Sequence, residues 1–80
     1  MSQSAKIGQG SMVEPNAVVQ SNTSIGMGCL ISAGAVVNHN AVVEDGCHID
    51  CNATISARNV VKIGTKVECG QIYKSEAGHV

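Results

Sequence analysis

Residues 25–43 read IGMGCLISAGAVVNHNAVV, and every sixth residue of this stretch, counted from its first, is Ile or Val. The same step of six continues in both directions without an insertion, and it selects eleven β-branched aliphatic residues and one tyrosine: Ile7, Val13, Val19, Ile25, Ile31, Val37, Val43, Ile49, Ile55, Val61, Val67 and Tyr73. Self-similarity at a fixed period is typical of repeat architectures, in which stacked units share one core. The sequence therefore predicts a repeat protein.

A second position of each hexad predicts a corner of the chain. Ten of the twelve residues that lie three places after the aliphatic are Gly or Asn, which best tolerate a positive φ. These corner positions are Gly10, Asn16, Asn22, Gly28, Gly34, Asn40, Gly46, Asn52, Arg58, Gly64, Gly70 and Glu76. Helices are excluded, because a step of six carries the aliphatic residues around a helix and the frequent Gly and Asn disfavour it. What remains is a coil of very short strands, each paired with its equivalent in the next coil.

The repeated pattern of aliphatic, Gly, two variable residues, a small residue and one more resembles that of the hexapeptide-repeat proteins over residues 7–78. The resemblance implies an all-β fold, a single-stranded left-handed parallel β-helix of twelve hexapeptide repeats with three repeats per triangular coil. About four coils follow: 7–24, 25–42, 43–60 and 61–78. We treat residues 1–80 as a single β-helix domain, in which equivalent residues stack about 4.8 Å apart.

Composition limits the partners and the compartment. The net charge is −1, and no basic stripe is interleaved with aromatic residues, so we expect no nucleic acid partner. The longest apolar runs are too short to span a membrane, and Met1–Ser4 lacks the features of a signal peptide. We therefore expect a cytoplasmic protein with reduced cysteines. The cysteines form two pairs spaced one coil apart, Cys29 with Cys47 and Cys51 with Cys69.

The candidate catalytic residue is His39. The segment Ile31–Ile55 resembles the sugar O- and N-acetyltransferases typified by sialic acid O-acetyltransferase and the bacillosamine-pathway N-acetyltransferase. This resemblance implies that His39 is the general base, which deprotonates a sugar hydroxyl or amine for attack on acetyl-coenzyme A between the chains of a homotrimer. In that family Asp or Glu usually follows the base, whereas here it is Asn40, which can orient an imidazole but supplies no charge. Glu44 or Asp45 of another coil or chain is a candidate substitute.

The candidate residues for binding acetyl-coenzyme A are His48, Lys62 and Lys66. His48 matches a second family histidine near the acyl donor, and the lysines could bind the phosphates of the coenzyme. Four of the five basic residues lie in the final third of the chain: Arg58, Lys62, Lys66 and Lys74. We expect no metal, because Cys47 of the Cys47-His48-x-x-Cys51 motif should point inward and no second motif completes a tetrahedral site.

Alternatives remain open for the function. The acceptor is expected to be a sugar or nucleotide sugar, although the N-terminal α/β domain that binds it in the relatives is not among these 80 residues. A non-catalytic or truncated trimerisation scaffold is the second hypothesis, since the strand edges at both ends need cover from other chains or from flanking sequence. A γ-type carbonic anhydrase is a remote third, because its His-x4-His pair is missing.

Overall fold

Twelve two-residue strands, one per hexad, form the whole of the regular structure in the computed structural model, which describes residues 5–74. They are β1 (Lys6–Ile7), β2 (Met12–Val13), β3 (Val18–Val19), β4 (Ser24–Ile25), β5 (Leu30–Ile31), β6 (Val36–Val37), β7 (Val42–Val43), β8 (His48–Ile49), β9 (Thr54–Ile55), β10 (Val60–Val61), β11 (Lys66–Val67) and β12 (Ile72–Tyr73). Each strand ends on the aliphatic or tyrosine of its hexad. Residues 5–74 contain no helix long and apolar enough to cross a membrane.

The strands form three parallel sheets of four strands each. We name them sheet A (β1-β4-β7-β10), sheet B (β2-β5-β8-β11) and sheet C (β3-β6-β9-β12). Consecutive strands lie in different sheets, and Ile7 pairs with Ile25, so the chain returns to the same sheet after 18 residues. The coil therefore has three sides and three corners, which we name A–B, B–C and C–A. With its hexapeptide repeats, this solenoid of about four coils fits a left-handed parallel β-helix, which confirms the predicted fold class.

The core is a set of three aliphatic ladders. The register confirms the predicted stacking, for example Ile31 on Ile49 and Val37 on Ile55. All three isoleucines and Val37 are fully buried, and burying such a side chain contributes about 1.5–3 kcal/mol. The end residues Ile7 and Tyr73 are only partly buried, because no further described coil covers them. The small inward residues of the middle coils are also buried: Thr23, Cys29, Ala35, Ala41, Cys47 and Ala53.

Positive φ angles mark the corners. All eleven predicted corner residues within residues 5–74 have φ between 57° and 78°, including Arg58 at 63°. Neighbouring coils are joined there by backbone hydrogen bonds, and the Gly46 N–H donates to the Met27 carbonyl at 2.9 Å. The twelfth predicted corner, Glu76, and the rest of the predicted coil beyond residue 74 lie outside the described residues.

Candidate functional site

His39 lies at the C–A corner, two residues after β6, and its side chain is exposed. The backbone fixes its position, because the His39 carbonyl accepts a hydrogen bond from the Arg58 N–H at 3.1 Å. The equivalent corner residues one coil away on either side are Ser21 and Ala57, so neither places an acidic group beside the ring. Within residues 5–74 the imidazole forms no hydrogen bond or ion pair with another side chain.

Asn40 forms the turn of the backbone at the same corner. Its φ is 62°, and its N–H donates to the Ser21 carbonyl at 3.1 Å. Asn is one of the few residues whose side chain tolerates this left-handed conformation. The residue that follows the candidate base is therefore explained by the turn alone, and it brings no negative charge to His39.

Glu44 and Asp45 do not replace the missing acid within one chain. Both lie at the A–B corner and accept hydrogen bonds from backbone N–H groups of neighbouring coils. Glu44 Oε1 accepts from Ile63 at 3.0 Å, and Asp45 Oδ1 accepts from Met27 at 2.8 Å. These two carboxylates join coils at a different corner from that of His39.

His48 has the carboxylate neighbour that His39 lacks. It lies in β8 on the outer face of sheet B, with Nε2 at 2.9 Å from Asp50 Oδ1. Lys66 pairs in register with His48 one coil later, and its Nζ lies 3.8 Å from Asp50 Oδ2. The structure thus brings two of the candidate residues, His48 and Lys66, together around Asp50. Asp50 was not predicted from the sequence, although side chains two residues apart in extended backbone point to the same side.

The two histidines lie on opposite flanks of the prism at nearly the same height. They are nine residues apart, half of the 18-residue coil, and the C–A corner stands opposite sheet B in the triangular cross-section. Half a coil corresponds to a rise of about 2.4 Å along the axis. One chain therefore does not bring His39 and His48 into a common site.

Comparison with known families matches this repeat directly. The model of the bacterial transferase hexapeptide family (six repeats) matches residues 4–39 and again residues 22–57, so the overlapping matches span 4–57, more than half of the chain. The chain belongs to the bacterial transferase hexapeptide family. No curated protein matches it. Membership in this hexapeptide family fits both an acyltransferase and a β-helix scaffold, and it identifies no substrate.

The basic residues of this hexapeptide-family chain do not form one surface. Arg58 lies at the C–A corner and Lys62 at the A–B corner, whereas Lys66 lies in β11 of sheet B and Lys74 follows β12 of sheet C. All four are exposed. Of the two predicted coenzyme-binding lysines, only Lys66 shares a face with His48. The clustering in sequence reflects the order of the repeats and not a common patch.

A shallow cleft of about 350 Å³ lies beside the A–B corner, between the outer faces of β4 and β7. Glu44, Asp45 and Ile63 are in its wall, and neither His39 nor His48 lines it. Two carboxylates next to the cleft disfavour the phosphates of a coenzyme through like-charge repulsion. In this member of the hexapeptide family the two carboxylates therefore make the cleft an unfavourable place for a phosphate.

The Cys47-His48-x-x-Cys51 motif does not converge on one point. Cys47 is buried and its thiol donates to the Lys62 carbonyl at 3.0 Å, whereas His48 faces outward toward Asp50. Among residues 5–74 no three His, Cys, Asp or Glu side chains are arranged to hold a metal ion. Cys47 and His48 thus point to opposite sides of the coil wall and do not share a site.

Proposed function

We propose that this chain is an acyltransferase that transfers the acetyl group of acetyl-coenzyme A to a hydroxyl or amine of a sugar-type acceptor. Its sites would lie in grooves between the chains of a homotrimer. The resemblance of Ile31–Ile55 to sialic acid O-acetyltransferase and the bacillosamine-pathway N-acetyltransferase supports the acceptor class. The observation that carries the proposal is that His39 and His48 lie at nearly equal height but on separate faces of one chain.

Cyclic symmetry would allow His39 of one chain to meet His48 of the next. In a ring, a flank of each chain contacts a different flank of the next, and the symmetry axis keeps equivalent residues at one height. Two residues on separate faces of a chain can then meet across an interface, provided that both faces lie toward neighbouring chains and the heights of the residues agree. His39 and His48 differ by only about 2.4 Å in height. Each chain would supply His39 to one groove and the His48–Asp50 pair to another.

Acetyl transfer requires a general base and a bound thioester of coenzyme A. His39 accepts the proton of the acceptor hydroxyl or amine while the oxygen or nitrogen attacks the thioester carbonyl carbon. The carbon–sulfur bond then breaks, and the proton held by His39 passes to the leaving sulfur, so that coenzyme A departs as the thiol. A positioned base contributes about 10²–10⁴-fold to such a step. Asp50 engages Nε2 of His48, so that Nδ1 is the nitrogen available to the acyl donor, and Lys66 beside it offers a cation for a coenzyme phosphate.

The direct test measures free coenzyme A released from acetyl-coenzyme A with a panel of amino and hydroxy sugars. His39→Ala should reduce kcat/KM by about 100-fold or more while calorimetric binding of the coenzyme is retained. His48→Ala should weaken that binding. Lys6→Ala, at an exposed position of β1, is the control and should change neither quantity. Absence of both coenzyme release and coenzyme binding in the unmodified protein would contradict the proposal.

A non-catalytic trimerisation scaffold is the second candidate. The observation in its favour is that, within residues 5–74, the His39 ring has no carboxylate neighbour and Asn40 is accounted for by its φ of 62°. A scaffold would assemble into the same trimer without binding the coenzyme. Calorimetry on a trimer of established size separates the two candidates.

A further inference from the structure

Two thiols that the acyl-transfer proposal does not use lie in contact at the B–C corner. Cys51 and Cys69 occupy equivalent positions in the third and fourth coils, and their Sγ atoms are 2.8 Å apart and share a hydrogen bond. Cys69 is exposed and Cys51 is partly exposed. Small reagents in solution can therefore reach this pair.

The backbone at this corner already has the spacing of a disulfide. The Gly70 N–H donates to the Cys51 carbonyl at 3.1 Å, which holds the two corners together. Equivalent residues of paired coils lie about 4.8 Å apart, and disulfides join Cα atoms separated by about 4.4–6.8 Å. A bond between the two sulfurs therefore requires adjustment of the side chains and no movement of the backbone.

The other two cysteines show that one-coil spacing alone does not create such a pair. Cys29 and Cys47 are buried, and each thiol donates to a backbone carbonyl, that of Glu44 at 3.1 Å and that of Lys62 at 3.0 Å. Burial raises the pKa of the Cys47 thiol, so its reactive thiolate is scarce. This buried pair is a control within the same chain.

We propose that Cys51 and Cys69 form a reversible disulfide by exchange with a low-molecular-weight disulfide of the glutathione class. The bond would join the third and fourth coils covalently at the B–C corner. It would close an 18-residue loop and so lower the conformational entropy of the unfolded chain, which stabilises the fold. It would also oppose separation of the fourth coil from the third. This inference is independent of the acyl-transfer proposal.

The exchange balances in two steps. The more exposed thiolate, Cys69, attacks one sulfur of the small disulfide, forms a mixed disulfide and releases one small thiolate. Cys51 then loses its proton to solvent and attacks the Cys69 sulfur, which forms the protein disulfide and releases the second small thiolate. Two protein thiols are oxidised, and one small disulfide is reduced. The hydrogen bond with Cys69, together with burial, raises the pKa of Cys51, which suits it to act second.

The experiment equilibrates the folded protein with buffers of graded reduced-to-oxidised glutathione ratio, quenches with acid and measures intact mass and peptide maps. We expect the loss of two hydrogens per chain, a peptide pair linked through Cys51 and Cys69, and two remaining thiols. The oxidised form should also show a higher urea midpoint than the reduced form, and excess reduced glutathione should reverse both changes.

Single cysteine variants identify which thiols form the bond. Cys51→Ser and Cys69→Ser should each stop at a mixed disulfide with glutathione, whereas Cys29→Ala should still form the internal bond. Accumulation of a mixed disulfide in the unmodified protein would overturn the inference. So would a link through Cys29 or Cys47, links only between chains, or an unchanged mass under the most oxidising buffer.

Discussion

Arg58 holds a backbone conformation that its side chain does not favour. Its φ of 63° lies in the left-handed region, where a residue with a β carbon is disfavoured by about 1–2 kcal/mol. The other corner residues described are Gly or Asn, which reach this region at lower cost. The left-handed conformation at residue 58 is therefore imposed by the neighbouring residues of the coil and not by the preference of arginine itself.

Replacing Arg58 by Asn should therefore stabilise the fold. We expect Arg58→Asn to raise the free energy of unfolding by about 0.5–1 kcal/mol, measured by urea denaturation. Arg58→Lys is the matched control and should leave the stability unchanged, because it retains an unbranched side chain without the local hydrogen bonds of Asn. A loss of stability in Arg58→Asn would mean that the arginine side chain contributes more than its backbone conformation costs.

Asn40 offers a test of the candidate base from its neighbouring residue. Asp also tolerates the left-handed conformation, so Asn40→Asp keeps the corner and adds a carboxylate beside His39. A carboxylate there stabilises the imidazolium formed during proton transfer. We expect kcat for acetyl transfer to rise about twofold to fivefold, the equivalent of an exposed ion pair of about 0.5–1 kcal/mol. Asn40→Gly is the control for the corner, and equal rates in the two variants would argue against His39 as base.

The corner as an element depends on two different properties of glycine. A β carbon at Gly26 would lie 2.7 Å from the Asp45 nitrogen and 2.9 Å from the Glu44 carbonyl carbon in the next coil. Gly28 has open space around the same position, but its φ is 66°. The first glycine permits close approach of two coils, and the second permits the turn.

Alanine at these two positions should therefore have unequal effects. Gly28→Ala should cost about 1 kcal/mol of stability through backbone strain alone. Gly26→Ala should cost about 3 kcal/mol, because backbone atoms of the next coil must move and the bond from the Met27 N–H to Asp45 is disturbed. Urea midpoints under one set of conditions measure both. A larger loss at Gly28 than at Gly26 would contradict the packing of the A–B corner.

Strands, corners and register could be predicted because each depends on a repeated backbone requirement. The 18-residue spacing of Ile31 and Ile49 is enough to predict that they pair in neighbouring coils. The candidate site was harder to predict, because it depends on side-chain directions that no repeat encodes. Asp50 could have been found because it follows β8 directly and lies two residues after His48, whereas the hydrogen bond from the Ile63 N–H to Glu44 depends on the conformation of one side chain.

At the scale of the whole molecule, residues 5–74 form a prism with the candidate functional side chains distributed around it. The C–A corner presents His39, sheet B presents His48 with Asp50 and Lys66, and the cleft beside the A–B corner is lined by carboxylates. Within the part of the chain that the structure describes, no concave site contains both histidines. Under the proposed mechanism, which uses both histidines in one site, acetyl transfer requires assembly of the chains, and this assembly is the central claim to test.

Mixing two impaired variants, at a coenzyme concentration too low to saturate His48→Ala, tests that claim most directly. His39→Ala and His48→Ala chains are refolded together in equal amounts, and release of coenzyme A is compared with that of each variant alone. If sites lie between chains, random mixing restores both histidines at about one quarter of the interfaces of a cyclic trimer, and the mixture should regain about that fraction of the unmodified activity. A mixture no more active than its components would contradict a shared site.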